Sequence, residues 1–238
     1  MLLVPTPDVP RSEVRTMTDP ITPGQFHDSR GTEDWRVLAD GACAMYRTGS
    51  LADGARLAEA IAALPGLRAH QPDIDLRFDS VTVRLITIAG GYFGMSARDV
   101  ELARQISSLA RDLGLAADVS GLRSLLIIPG APDTAAVMPF WRAALGYAPR
   151  PDSPDEDLID PEGRMPGFWF EPMDQPRPGG TGAIHVAVFV PHEEGEARVS
   201  AALAAGGHLV RDEFAPAWVT LADAAGNEVD IATTHTRG

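Results

Sequence analysis

Trp35-Arg36-Val37-Leu38-Ala39-Asp40-Gly41-Ala42-Cys43-Ala44-Met45-Tyr46-Arg47-Thr48 is the stretch that decides the fold of the first half of the chain. The runs Trp35 to Ala39 and Ala42 to Thr48 flank Asp40-Gly41, and a two-residue Asp-Gly link between such runs predicts a β-hairpin. Ser50 then caps a helix, with Asp53 three residues on, and Leu57, Ile61 and Leu64 mark its buried stripe. Pro65-Gly66 stops it. In the next stretch Ile74, Leu76 and Phe78 alternate with Asp73, Asp75 and Arg77. Asp79-Ser80 then turns the chain into Val81, Val83 and Leu85, a second hairpin. Ser96-Ala97-Arg98-Asp99 opens a last helix whose Val100, Ala103, Ile106, Ala110 and Leu113 recur every three to four residues. Hairpin, helix, hairpin, helix predicts an α+β domain over 19–115, an antiparallel four-stranded sheet with helices on one face.

Upstream, residues 1–18 carry Pro5, Pro7 and Pro10 without periodicity and read as a disordered leader, with Met17 an alternative start. Downstream, Leu115 to Gly121 is small, polar and Gly-containing, and reads as a linker. Beyond it, over 121–238, one pattern occurs twice. Leu125 to Ile128 is an apolar strand, followed by a helix through Phe140, Trp141 and Leu145. Leu158 to Gly163 then leads to a strand over Phe168 to Glu171. The second pass has a strand Ile184 to Val190, a helix Glu194 to Ala205, and Leu221 to Gly226 leading to a strand Glu228 to Ala232. Two strand–helix–strands units that cannot bury their own faces alone should pair into one domain, a curved sheet around a cleft.

Bulk properties exclude several classes. The net charge of −13 argues against binding nucleic acid through its phosphates and against an anionic membrane surface. No apolar run approaches the roughly 20 residues of a spanning helix, and the first residues lack the basic start and apolar stretch of a signal peptide. The single Cys43 cannot form an intramolecular disulfide, which fits a cytoplasmic protein.

His70, in Arg68-Ala69-His70-Gln71-Pro72-Asp73, is the only histidine between His27 and His185 and stands at the entry of a strand. Imidazole is the side chain that titrates near neutrality, which suits it to proton transfer, although such a residue can equally be a plain loop histidine. Asp99 reads either as a site carboxylate or as a third-position helix carboxylate. Trp35 reads as core or as a stacking platform, and Tyr92-Phe93, beside Gly90-Gly91 and Gly94, as an aromatic flap or an ordinary loop.

Trp35, the His70-x-Pro72 run and Ser96-x-x-Asp99, with the order of elements from Thr22 to Leu115, resemble the pterin-4a-carbinolamine dehydratase family. There the motif is His-His-Pro, a third His follows the next hairpin, and an Asp lies near the start of the last helix. Position by position, His70 matches the first His, Gln71 replaces the second, and Pro72 and Asp99 match. Ile88-Ala89-Gly90-Gly91 stands where the third His would be. The resemblance implies removal of the 4a-hydroxyl of a tetrahydropterin together with a ring-nitrogen proton. That takes an acid and a base, with His70 and Asp99 as catalytic residues and Gln71, Pro72, Asp73 and Trp35 against the substrate. With one histidine, the second proton carrier falls to water, the substrate or a carboxylate such as Asp73 or Asp99.

Phe140-Trp141-x-x-x-Leu145-Gly146-Tyr147 and Gly226-Asn227-Glu228 are similar to the vicinal oxygen chelate superfamily, the glyoxalase group, over Leu122 to Thr234. That resemblance implies a paired βαβββ domain. Metal-dependent members use four inward ligands, and here Glu171, His185 and Asp230 occupy three positions while Leu126 occupies the fourth. No cofactor is therefore expected, and a divalent ion on Glu171, His185 and Asp230 is the one exception these residues allow. Trp169 and Trp218 are the expected walls of the cleft. Three readings follow: a pterin dehydratase (a lyase) with an accessory small-molecule domain, a non-catalytic binding module, and a dimerising scaffold. The partners expected are a pterin-like small molecule and a second copy of the chain.

Overall fold

Gly41 explains the first hairpin. The structure, a computed structural model, describes residues 19–67, 70–173, 184–222 and 228–234. The leader 1–18, the Gly226-Asn227 pair and the segment 223–225 lie outside the described residues. After a short strand Pro20–Ile21 (β1) and helix Pro23–His27 (α1), strands Arg36–Leu38 (β2) and Gly41–Arg47 (β3) pair antiparallel. The turn falls on Ala39-Asp40, one residue earlier than the sequence predicts, because Gly41 already pairs with Leu38. Gly41 has φ +129°, and a Cβ there would collide with the Leu85 carbonyl oxygen. Only glycine allows this close approach of backbone to backbone.

Helix Leu51–Ala62 (α2) starts on Ser50, whose hydroxyl accepts from the Asp53 amide at 3.2 Å. Strands Asp73–Leu76 (β4) and Ser80–Leu85 (β5) form the second hairpin, and β5 pairs with β3. The four antiparallel strands run in the order β2-β3-β5-β4. The domain holds more strands than expected, in two sheets. Strands Thr87–Ala89 (β6) and Tyr92–Ser96 (β7) make a separate three-stranded sheet with β1. Tyr92-Phe93 is thus strand, neither flap nor loop. After helix Ala97–Asp112 (α3), strand Ala116–Ala117 (β8) adds to β3, and Val119–Gly121 is a 3₁₀ turn. The expected linker is therefore paired structure.

Alternation along β3 gives the sheet two apolar faces. Ala42, Ala44 and Tyr46 face the helices, packing with Leu57 and Ile61 of α2 and Leu102 and Ile106 of α3. Cys43 and Met45 face the other way, and with Leu38 they pack against Ile128, Ala187, Phe189 and Ala232 of the second half. That face is covered by the chain's own C-terminal domain, which removes it from any partner copy. Arg36 bonds Glu193 from Nε at 2.9 Å, and Thr234 donates its hydroxyl to the Val37 carbonyl, both across this boundary.

The C-terminal half begins with strand Ser124–Ala131 (β9), helix Thr134–Leu145 (α4), and strands Ala148–Arg150 (β10), Ser153–Ile159 (β11), Gly167–Trp169 (β12) and Glu171–Pro172 (β13). Strand Ile184–Phe189 (β14), helix His192–Ala204 (α5), and strands His208–Arg211 (β15), Trp218–Ala222 (β16) and Glu228–Ala232 (β17) repeat the pattern. The first strands of the two units, β9 and β14, pair antiparallel at the centre, and each is flanked by a parallel strand of its own unit, β12 or β17. One nine-stranded sheet results, a paired βαβββ arrangement. Among the described residues no helix is long and apolar enough to cross a membrane.

Candidate functional site

Asp99 organises the N-terminal site from below. Ser96 and Asp99 cap α3 reciprocally, and this draws the carboxylate into the protein, where it is 0% exposed. Its Oδ2 accepts from the Ser96 amide at 2.7 Å, the Ser96 hydroxyl at 2.8 Å and the Thr87 hydroxyl at 2.7 Å. Its Oδ1 meets His70 Nε2 at 2.6 Å. Both readings of Asp99 therefore hold together: helix carboxylate and partner of His70. An ionised carboxylate only accepts, so the network assigns the proton in that contact to Nε2. Nδ1 is left as an acceptor, the state a general base needs.

His70, Gln71 and Asp73 line a cavity of about 350 Å³ between the two domains. Asp73 is held by Arg84, whose Nη2 and Nε lie 2.6 and 3.0 Å from Asp73 Oδ2. Three members of the expected set do not line it. Trp35 is fully buried in the helix-side core and donates from Nε1 to Ser107 Oγ at 3.0 Å, so it is a core residue and not a substrate contact. Its polar atom is satisfied inside the core, as a buried indole requires. Asp99 does not line the cavity either. It reaches the cavity wall only through its contact with His70. Pro72 is half-buried and is not among the lining residues.

The opposite wall of this cavity was not visible in the sequence. It is built by Arg150, Asp157 and the loop Asp160 to Gly163 of the C-terminal domain. Gly163, at φ +65°, sits so close to the Arg84 guanidinium that a Cβ would overlap it. The Arg150 guanidinium lies 5.4 Å from the centre of the Phe93 ring. These two contacts, one at Arg84 and one at Phe93, hold the walls together.

A second cavity of about 480 Å³ lies inside the C-terminal sheet, and Glu171, His185, Asp230, Trp169 and Trp218 all line it. The structure brings these five together. His185 is buried, its Nδ1 3.8 Å from Glu171 Oε2 and its Nε2 3.4 Å from Asp230 Oδ2. Burial opposes the charge on Asp230, but hydrogen bonds from His185 and Thr220 outweigh it and hold its pKa below the usual carboxylate value. The two imidazole nitrogens point to different carboxylates, so the three side chains form a chain, not a convergent donor set. A cation would need all three lone pairs on one centre at about 2.0–2.6 Å, and this arrangement does not fit that requirement. Leu126 lines the same cavity and adds no donor. Phe214 stacks on Trp218 with ring centres 4.3 Å apart, giving one wall a broad aromatic surface.

Two family descriptions match the chain in succession. Residues 19–109 match "Pterin 4 alpha carbinolamine dehydratase", and residues 126–232 match "Glyoxalase-like domain". A protein of Nocardia farcinica (strain IFM 10152), named as a pterin-4-alpha-carbinolamine dehydratase, is 36% identical over 78 residues. Those residues cover 33% of this chain and 80% of that protein. The chain belongs to the pterin-4a-carbinolamine dehydratase family and carries a glyoxalase-like domain after it.

Proposed function

We propose that the protein is a cytoplasmic pterin-4a-carbinolamine dehydratase, a lyase that removes water from a 4a-hydroxytetrahydropterin such as 4a-hydroxytetrahydrobiopterin. The observation that carries this reading is the His70–Asp99 pair, 2.6 Å apart, at the edge of an open cavity. A buried carboxylate that fixes a histidine's tautomer and stabilises its charged form is the arrangement of a proton-transfer site. A loop histidine without a task would not need it.

In this reading His70 Nδ1 takes the proton from the pterin ring nitrogen. The electron pair left behind closes a C=N bond as the C4a–O bond breaks. Gln71, exposed beside His70, offers both a donor and an acceptor to the pterin edge. A cavity of about 350 Å³ is near the lower end of the roughly 300–1,000 Å³ of small-molecule sites, enough for one bicyclic heterocycle. The glyoxalase-like cavity, with stacked aromatic rings and a buried His185, favours an accessory role in binding a small planar molecule. A scaffold that dimerises through its sheet face is the weaker reading, since that face is filled by Phe189 and its neighbours. The sheet edges β2 and β4 are what remains for a second copy.

The test is turnover of a 4a-hydroxytetrahydropterin by wild type and His70→Ala side by side. A loss of about 10²-fold or more in kcat with little change in KM is expected, the scale of one proton-transfer group. Equal rates for the two proteins would refute the assignment.

A further inference from the structure

Dehydration moves two protons, and besides His70 the N-terminal carboxyls that line the cavity, Asp40 and Asp73, are both engaged by Arg84. Gln71 does not titrate. Asp99 is buried and fully engaged by four donors. Asp73 is occupied by Arg84. The facing wall holds what is missing. Asp160 is half-buried and accepts backbone amides from Glu162, Arg164 and Met165, which hold its pKa below the usual range and keep it an anion. Asp157 differs in kind: it is 4% exposed, yet it lines the cavity that His70 lines. Strand β11 places it there, paired with Trp169 of β12. Arg150 Nη1 lies 3.1 Å from its Oδ1, and the same guanidinium reaches Asp152 at 2.7 Å and covers Phe93 of the other domain. Arg150, Asp157 and Leu126 also line the glyoxalase-like cavity, so they form the partition between the two chambers. Burial pushes the Asp157 carboxyl up from its ordinary value, the direction a proton donor requires.

We propose that the dehydratase site is shared between the domains, with Asp157 protonating the departing 4a-hydroxyl while His70 accepts the ring-nitrogen proton, and Arg150 positioning the pterin. This rests on the dehydratase reading above. The C4a–O bond breaks, the oxygen leaves as water with the Asp157 proton, and the nitrogen lone pair forms the C=N bond. Asp157 ends as carboxylate and His70 as imidazolium, and exchange with solvent resets both. Of the five N–H donors of Arg150, three serve Asp152 and Asp157. Among the described residues the other two take no hydrogen-bond partner, and they can meet the pterin carbonyl oxygen. The glyoxalase-like domain is then part of the active site and not an appendage.

The experiment measures kcat and KM for the full chain as wild type, Asp157→Asn, Asp157→Glu, Arg150→Gln and the double variant Arg150→Gln/Asp157→Asn. Affinity for 7,8-dihydrobiopterin is measured alongside. Asp157→Asn should lower kcat about 10²-fold and leave the dihydrobiopterin Kd within about twofold. Asp157→Glu should recover part of kcat, which a structural role would not do. Arg150→Gln should act mainly on KM and Kd. The double variant replaces the pair by neutral side chains, so it leaves neither partner as an unpaired buried charge and reports kcat even where a single variant folds poorly. A wild type that does not accelerate dehydration sinks the dehydratase reading and this proposal with it. A wild type that turns over, with Asp157→Asn or the double variant at the same kcat, overturns the shared site alone.

Discussion

Asp99→Asn is a substitution of one atom that the geometry turns into a change of tautomer. The carboxylate accepts from four donors, one on Oδ1 and three on Oδ2. An asparagine must put its NH₂ on one side. On the Oδ2 side it would face the Ser96 amide, a group that can only donate, at 2.7 Å. On the Oδ1 side it meets His70 Nε2, which can become an acceptor if the ring proton moves to Nδ1. The second arrangement keeps three hydrogen bonds and wins. Its consequence is that Nδ1 of His70 changes from acceptor to donor and can no longer act as base. Bonds to a charged acceptor contribute roughly 1.5–3 kcal/mol and neutral ones about 0.5–1.5, so the stability loss should be roughly 1–3 kcal/mol. Activity should fall far more, by about 10²–10⁴-fold in kcat. The same replacement behind the histidine of a Ser-His-Asp site costs about 10⁴-fold. Urea unfolding reads the first quantity, steady-state dehydration the second, and the ¹⁵N shifts of the imidazole report the tautomer directly. A folded Asp99→Asn protein with wild-type kcat would refute the argument, and so would an unchanged tautomer.

Gln71→His restores a titrating group beside His70 and should raise kcat several-fold. A rate at or below wild type would show that this position does not reach the substrate. Phe189→Ala removes a ring that is 5% exposed between the two sheets, at a cost of about 3–5 kcal/mol. Because this cluster joins the domains, the wild type should unfold in one transition and the variant in two, as followed by circular dichroism in urea. Two transitions already present in the wild type would contradict the coupling. Thr220→Val removes the hydroxyl that donates to Asp230 Oδ1 at 2.6 Å. Asp230 titrates lower in the folded state than in the unfolded one. Its stabilisation is therefore present above the unfolded value, about 3.9, and is lost as pH falls through the folded pKa. The variant should show a shallower loss of stability in acid. Parallel acid limbs for the two proteins would rule Asp230 out as the group responsible.

Local patterns in the sequence determined the elements of both halves, because hairpin turns, helix caps and periodic apolar positions act over a few residues. Ser50, Ser96-x-x-Asp99 and the alternation from Asp73 to Leu85 place α2, α3 and the β4–β5 hairpin with no tertiary knowledge. The doubled pattern after Gly121 likewise pointed to the paired architecture, and the positions implied by the resemblance to the glyoxalase group, Glu171, His185 and Asp230, line one cavity. What depends on pairing partners far away was not legible. Strand β11, Ser153-Pro154-Asp155-Glu156-Asp157-Leu158-Ile159, has the composition of a loop, and only its neighbours β10 and β12 make it a strand. The one-residue shift of the first turn was decided by the close approach of Gly41 to Leu85 across the sheet. Trp35 could be core or platform by type, and only the position of Ser107, 72 residues on, makes it core. Above all, the sequence places helices on one face of the first sheet and leaves the other face unread. The tertiary structure decides that the glyoxalase-like domain covers it, since burying Leu38, Cys43 and Met45 removes apolar surface from water. The same docking sets Asp157 and Arg150 across the cavity from His70.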